Sequence, residues 1–233
     1  MKKSMTTLGA TVLMLFAATS VGASAASAHN TDGPSGKGAG KTVTVTATLS
    51  QLNNSGVSGM ATAVVRHKKI KSIDVQAMGL TPDAPHAQLV HFGDQALHEC
   101  PTADQDANMD GRLTTVEGVP AYGPVAVSLT TTGDTSPASV LAVDRFPVAE
   151  DGTHHYSRSN IKFTDVAGAG VAGGVGTAKD IAEAVRAGEG VLVIHGIDYN
   201  DDGVYSLSEK GASELGPALP AEATDPAACG VLH

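Results

Sequence analysis

Two short acidic stretches carry the residues best suited to chemistry. Asp106-Ala-Asn108-Met-Asp110-Gly111 is followed by Glu117, and Asp198-Tyr-Asn200-Asp-Asp202-Gly203 is followed by Glu209. Both fit the calcium-loop spacing D-x-[DN]-x-[DN]-G-x5-E. Side chains at the first, third and fifth positions turn their oxygens toward one point, and glycine at the sixth permits the sharp bend. A main-chain carbonyl at the seventh position (Arg112 or Val204) and a bidentate glutamate at the twelfth complete an all-oxygen shell for a hard cation. Three carboxylates and one amide per loop suit Ca²⁺ better than Mg²⁺, which demands stricter geometry and keeps more water.

A plainer reading stands beside this one. Asp, Asn and Gly are ordinary turn formers, and Thr114-x-x-Glu117 and Ser206-x-x-Glu209 are capping boxes that explain both glutamates without a metal. The two readings are compatible, because such calcium loops enter a helix at the ninth position. The flanks are a loop before Asp106 (CPTADQ) and a strand before Asp198 (VLVIHGI). They do not supply the helix pair of a sensor that opens a groove. Calcium is therefore expected to pin loops at one end of a rigid scaffold.

Among the nine histidines, His86, His91 and His195 fall on expected strands. No catalytic residue is assigned: the chain has no G-x-S-x-G elbow, no phosphate loop and no H-E-x-x-H pair. His154-His155 reads as an exposed strand start, and Pro120–Pro124 as a rigid loop from which Tyr122 packs inward.

The elements that must hold these residues are mostly strands. The chain has 233 residues, 42% of them hydrophobic but 3% aromatic, with no Trp. Its core must be built from Val, Ala, Leu, Ile and Thr, a bias toward strands. Period-two or apolar runs predict strands at 42–49, 59–67, 70–78, 88–92, 125–131, 139–144, 155–163 and 191–195. The best helix is Thr177–Ala187, with Thr177 as cap, Ile181 and Val185 on one face, and Gly188 as stop. It follows a Gly-rich loop at 165–176. About eight strands and one short helix predict a mostly β, antiparallel sandwich or barrel in one domain, residues 42–233.

The N-terminus reads as a secretory signal peptide. Lys2 and Lys3 precede an apolar run, and Ala26-Ser27-Ala28 offers a small-residue cleavage site, so residues 1–28 are expected to be removed. A retained anchor is the alternative, although the apolar run is short for a bilayer span. Residues 29–41 look like a flexible linker. Cleavage removes two lysines and no acid, deepening the formal charge from −9 to −11. That charge disfavours a nucleic-acid partner, and no later segment predicts a membrane span. The expected location is secreted or at the cell surface, with an extracellular partner whose identity the sequence does not give. In an oxidising compartment, Cys100 and Cys229 most simply pair with each other, two free thiols being the alternative.

Pro85-His86-Ala-Gln-Leu89-Val-His91-Phe-Gly93, a later strand ending Val193-Ile194-His195, and the terminal Ala228-Cys229-Gly230-Val231 resemble the copper/zinc superoxide dismutase fold. They resemble more closely still the CHRD domain, a secreted module similar to that fold. The resemblance implies a Greek-key β-sandwich closed by a Cys100–Cys229 disulfide. It places His91 and His195 on positions of copper ligands, with His86 or His98 as a substitute third. The first histidine of the family's His-x-His pair falls on Leu89, and no bridging histidine segment follows. Taken together with the spacing of the acidic loops, the resemblance leads to the expectation of a non-enzymatic module that binds calcium, with a divergent copper-dependent dismutase as the alternative.

Overall fold

A computed structural model describes residues 41–161 and 177–233, which belong to one compact unit. The segment expected to be a signal peptide, nearly all of the expected linker and the Gly-rich stretch at 165–176 lie outside the described residues.

Alternation of Thr with Val, Ala and Leu makes the first strand two-faced. In β1 (Val43–Gln51), Val45, Ala47 and Leu49 are buried while the intervening residues are exposed. The same pattern continues through β2 (Ser58–Val65) and β3 (Ile70–Met78). Lys68-Lys69 sits in the tight turn between them, closed by paired main-chain bonds between Arg66 and Lys69. The other strands of the main sheet are β4 (Gln88–His91), β5 (Val125–Ser128), β6 (Thr153–Ser159), β7 (Gly190–His195) and β10 (Pro226–Leu232). A small hairpin, β8 (Ala212–Ser213) and β9 (Gly216–Pro220), stands apart.

The main sheet runs β5-β4-β7-β10-β1-β2-β3-β6, with every pairing antiparallel. It curls because β1 belongs to both halves. Val43–Leu49 pair with β2, while Ser50 and Gln51 pair with Cys229 and Ala228 of β10. The links β3–β4, β5–β6 and β6–β7 cross between the halves, the Greek-key path of a sandwich. Inward residues of the two halves, among them Leu49, Ile73, Val75, Leu192, Ile194 and Leu232, form one apolar core.

Three α-helices, where the sequence promised one, lie among the described residues. The expected helix is α2 (Ala178–Ala187), capped by Thr177 and Asp180 and stopped by a left-handed Gly188. It buries Ile181 and Val185 against the core. α1 (Thr115–Tyr122) grows from the Thr114/Glu117 capping box and extends through Pro120, into the stretch expected to be loop. α3 (Ala221–Thr224) is one turn. Tyr122 is fully buried, and a Cβ on Gly118 would lie 2.4 Å from its ring, so the helix needs glycine there.

Residues 139–144 are not a strand. They form two 3₁₀ turns, Pro137–Ser139 and Val143–Arg145. Pro137 starts the first, and the Asp134 carboxylate accepts from Ser136 N at 3.0 Å and Ser139 Oγ at 3.1 Å. Arg145 reaches back to Ser139 Oγ at 2.8 Å. This polar clasp outweighs the β-prone composition of the segment.

Cys100 and Cys229 form a disulfide, with Cα atoms 5.7 Å apart. It ties the loop after β4 to β10, against a second apolar cluster containing Tyr122, Val191 and Val193.

Candidate metal-binding loops and a buried histidine pair

The two acidic loops follow the same backbone path. Their fourth residues, Met109 and Asp201, have φ of 58° and 57°, and their sixth, Gly111 and Gly203, have 79° and 83°. Short polar side chains stabilise these bends by accepting from nearby N–H groups. In the first loop, Asp106 Oδ2 accepts from Gly111 N at 2.8 Å, Asn108 Oδ1 from Asp110 N at 2.8 Å, and Asp110 Oδ1 from Arg112 N at 2.8 Å. In the second, Asp198 Oδ2 accepts from Gly203 N at 2.5 Å, Asn200 Oδ1 from Asp202 N at 3.3 Å, and Asp202 Oδ1 from Val204 N at 2.9 Å.

The closing glutamates differ. Glu117 accepts from Ala107 N at 3.1 Å and from Thr114 N at 3.0 Å, the second and ninth residues of its loop. In the second loop the corresponding N–H groups, on Tyr199 and Ser206, are taken at 3.1 and 2.6 Å by Glu222. Glu209 stands exposed on a turn, and no helix follows Ser206. Glu222 is fully buried and comes from α3. No spacing rule reaches a carboxylate that far along the chain, so sequence reasoning missed it.

Arg112 Nη1 and the Tyr199 hydroxyl each donate to Asp225 Oδ2 at 2.9 Å, which stitches the two loops to a common anchor. Burial pushes the Asp225 carboxyl above its ordinary range, against the opposing pull of Arg112. Among the described residues, no three His, Cys, Asp or Glu side chains gather closely enough to hold a metal as they stand. The loop carboxylates are engaged with main-chain N–H groups, and Arg112 Nε lies 3.9 Å from Asp110 Oδ2. The donor chemistry and bends fit calcium.

The three histidines expected on strands separate into one and two, and His86 lies just before β4 rather than on a strand. Both ring nitrogens of His86 face main-chain carbonyls, those of His195 at 2.9 Å and Thr81 at 3.1 Å. Tyr205 OH is also within 3.3 Å, and burial lowers the pKa of His86. His98, the other substitute, bonds Gly93 O through Nε2 at 2.9 Å and stacks on Phe92.

His91 and His195 instead approach each other. His91 pairs with Val191 across β4 and β7, so His195 lies four positions along, about 13 Å of strand. Their ring centroids are nevertheless 6.1 Å apart. The two rings lean together across the outer face, with Leu89 on that face between them. His91 Nδ1 donates to Gly123 O at 2.8 Å and His195 Nδ1 to Thr224 O at 2.7 Å. These bonds fix both tautomers and leave both Nε2 atoms as acceptors. Both are buried without a partner. Burial and its neighbour His195 lower His91 to about 3, and burial lowers His195 to about 4. Tyr122 supports His91, with ring centroids 4.3 Å apart.

No protein-family model matches the chain, and no curated protein is significantly similar to it.

Proposed function

We propose that the chain is an extracellular, non-enzymatic β-sandwich of the CHRD/dismutase-like type, which binds calcium in its two acidic loops and presents that end to a partner. The observation that carries this reading is the duplicated loop. Two segments far apart in sequence share bends, an Asx network and a carboxylate bridging the second and ninth N–H groups. The ligand set in the first loop is Asp106, Asn108, Asp110, the Arg112 carbonyl and Glu117. In the second it is Asp198, Asn200, Asp202 and the Val204 carbonyl. Glu209 is the twelfth residue by spacing, and Glu222 holds the matching place in space. The N-terminal signal pattern and the Cys100–Cys229 bridge support an oxidising, extracellular setting.

A copper-dependent dismutase is the second reading, favoured by the free Nε2 atoms of His91 and His195. Redox copper needs three or four nitrogen ligands with open access. His86 is engaged on both nitrogens and Leu89 supplies none, so the residues present do not fit that group.

Metal analysis of protein prepared without chelator separates the readings. Bound calcium without copper is expected. Stoichiometric copper, or protein free of calcium that shows no heat of binding on calcium titration, overturns the proposal.

A further inference from the structure

The solvent face of β2, β3 and β6 carries side chains that neither the acidic loops nor the buried histidines employ. Met60 pairs with Gln76, and Gln76 with His155, so these three stand in one row across the strands. Met78, two residues beyond Gln76 on β3, is the diagonal neighbour of both Met60 and His155. Diagonal neighbours lie about 7–8 Å apart, within reach of long side chains. Met60 is 61% and Met78 59% exposed, and the His155 side chain is 60% exposed. All three open into a single hollow of about 730 Å³, which Glu150 also lines.

His155 is already oriented as a ligand. Its Nε2 donates to Asp74 Oδ2 at 2.8 Å. A carboxylate only accepts, so in the neutral ring the proton sits on Nε2 and Nδ1 keeps its lone pair. A carboxylate behind the imidazole is the usual support of a metal-bound histidine. The methionines add unbranched thioethers, whose three rotatable bonds let the sulfur move over the face. Thioethers select soft ions such as Cu(I), whereas carboxylates and carbonyls suit Ca²⁺ and Mg²⁺. Among the described residues no three His, Cys, Asp or Glu side chains form a site, so the sulfurs decide what this face can hold. Both cysteines are joined in the disulfide, which leaves no thiolate to compete.

We propose that Met60 Sδ, Met78 Sδ and His155 Nδ1 bind one Cu(I) ion in an open site on this face, with Ag(I) as its redox-inert analogue. The negative charges of Asp74 and Glu150 beside the hollow complement a cation. Because the ligands are more than half exposed, the ion exchanges with solvent and is lost in purification unless it is supplied. That separates this site from the resident copper of a dismutase, and it shares no residue with the acidic loops.

The experiment titrates the full chain with silver nitrate in chloride-free buffer containing calcium. Binding is read by calorimetry, by methionine methyl resonances and by histidine-ring ¹⁵N shifts. The first equivalent of Ag⁺ is expected to move the methyls of Met60 and Met78 and Nδ1 of His155 in step. Met109, more exposed than either, should respond only to excess. Met60→Leu, Met78→Leu and His155→Gln should each weaken binding about tenfold or more, while Met109→Leu leaves it unchanged. Competition with bicinchoninate under ascorbate should rank the variants in the same order for Cu(I). The shifts in the unsubstituted protein carry the test should a variant fail to fold. The proposal is overturned if Met60 and Met78 saturate no earlier than Met109, or if His155 Nδ1 stays still. A smaller loss in any of the three folded variants overturns it too, and leaves the methionines as plain apolar surface.

Discussion

Glu117 and Glu222 occupy matching places in the two acidic loops, although one lies within its loop motif and the other comes from α3. Each bridges the second and ninth N–H groups with its two carboxylate oxygens. Position in space, not the count along the chain, therefore identifies the closing carboxylate. Glu222→Gln should weaken calcium binding at the second loop at least tenfold by calorimetry, while Glu209→Gln leaves it within about twofold. Equal losses from both variants would restore the linear motif.

Calcium bound to the native state alone stabilises by RT ln(1 + [L]/Kd), about 2.7 kcal/mol at one hundred times Kd. Chelator should therefore lower the melting temperature. Combining Asp110→Ala with Asp202→Ala should remove that sensitivity, because both loops lose their fifth-position oxygens. Superimposable scanning-calorimetry traces with and without chelator would count against the loops as metal sites.

The histidine pair makes stability depend on pH. Folded His91 and His195 titrate at about 3 and about 4, against 6.5 for an unfolded histidine. Below pH 6.5 the unfolded chain takes up protons that the folded chain refuses. Stability from these rings is complete above pH 6.5 and is lost as pH falls toward 4, on the order of 2 kcal/mol per ring by pH 5. Denaturant midpoints measured in EDTA at pH 7.5 and pH 5 should show the loss. A His195→Gln variant should lose less than the parent over the same interval.

Leu89 stands where a third imidazole would join the pair. Leu89→His should raise affinity for Cu²⁺ or Zn²⁺ by at least tenfold, because three nitrogens would then share one face. Competition with a chromophoric chelator measures this, and an unchanged affinity would show that the rings cannot converge on one ion.

The disulfide closes a span of 129 positions. In the chain-entropy account this is worth about 4–5 kcal/mol through the unfolded state. Cys100→Ser with Cys229→Ser should shift the denaturant midpoint down accordingly, as should reduction of the parent.

Much of the fold was legible because its strands alternate cleanly. Thr42–Leu49 needs no context to declare two faces, and Thr177 with Gly188 brackets a helix by local rules. The loops were legible for the same reason, since each Asx bond joins residues a few positions apart. What escaped depends on partners distant in sequence. Residues 139–144 have strand composition, but Asp134 and Arg145 fold them into turns. β10 is a run of small residues, Ala227-Ala228-Cys229-Gly230, without alternation to reveal it, and its burial comes from β1 and β7 on either side. Glu222 has meaning only beside Tyr199 and Ser206. The pairing of His91 with His195 follows from strand register, and the engagement of His86 from loop carbonyls that no spacing encodes.

β10 lies between β7 and β1 at the middle of the curled sheet, with the earliest described strand on one side. Until residues 226–232 emerge from the ribosome, β1 and β7 have no common neighbour and the two halves cannot close. The main sheet can therefore be completed only after all seven of its other strands have been made. A truncation before Pro226 should leave a protease-sensitive, aggregation-prone product rather than a smaller native one.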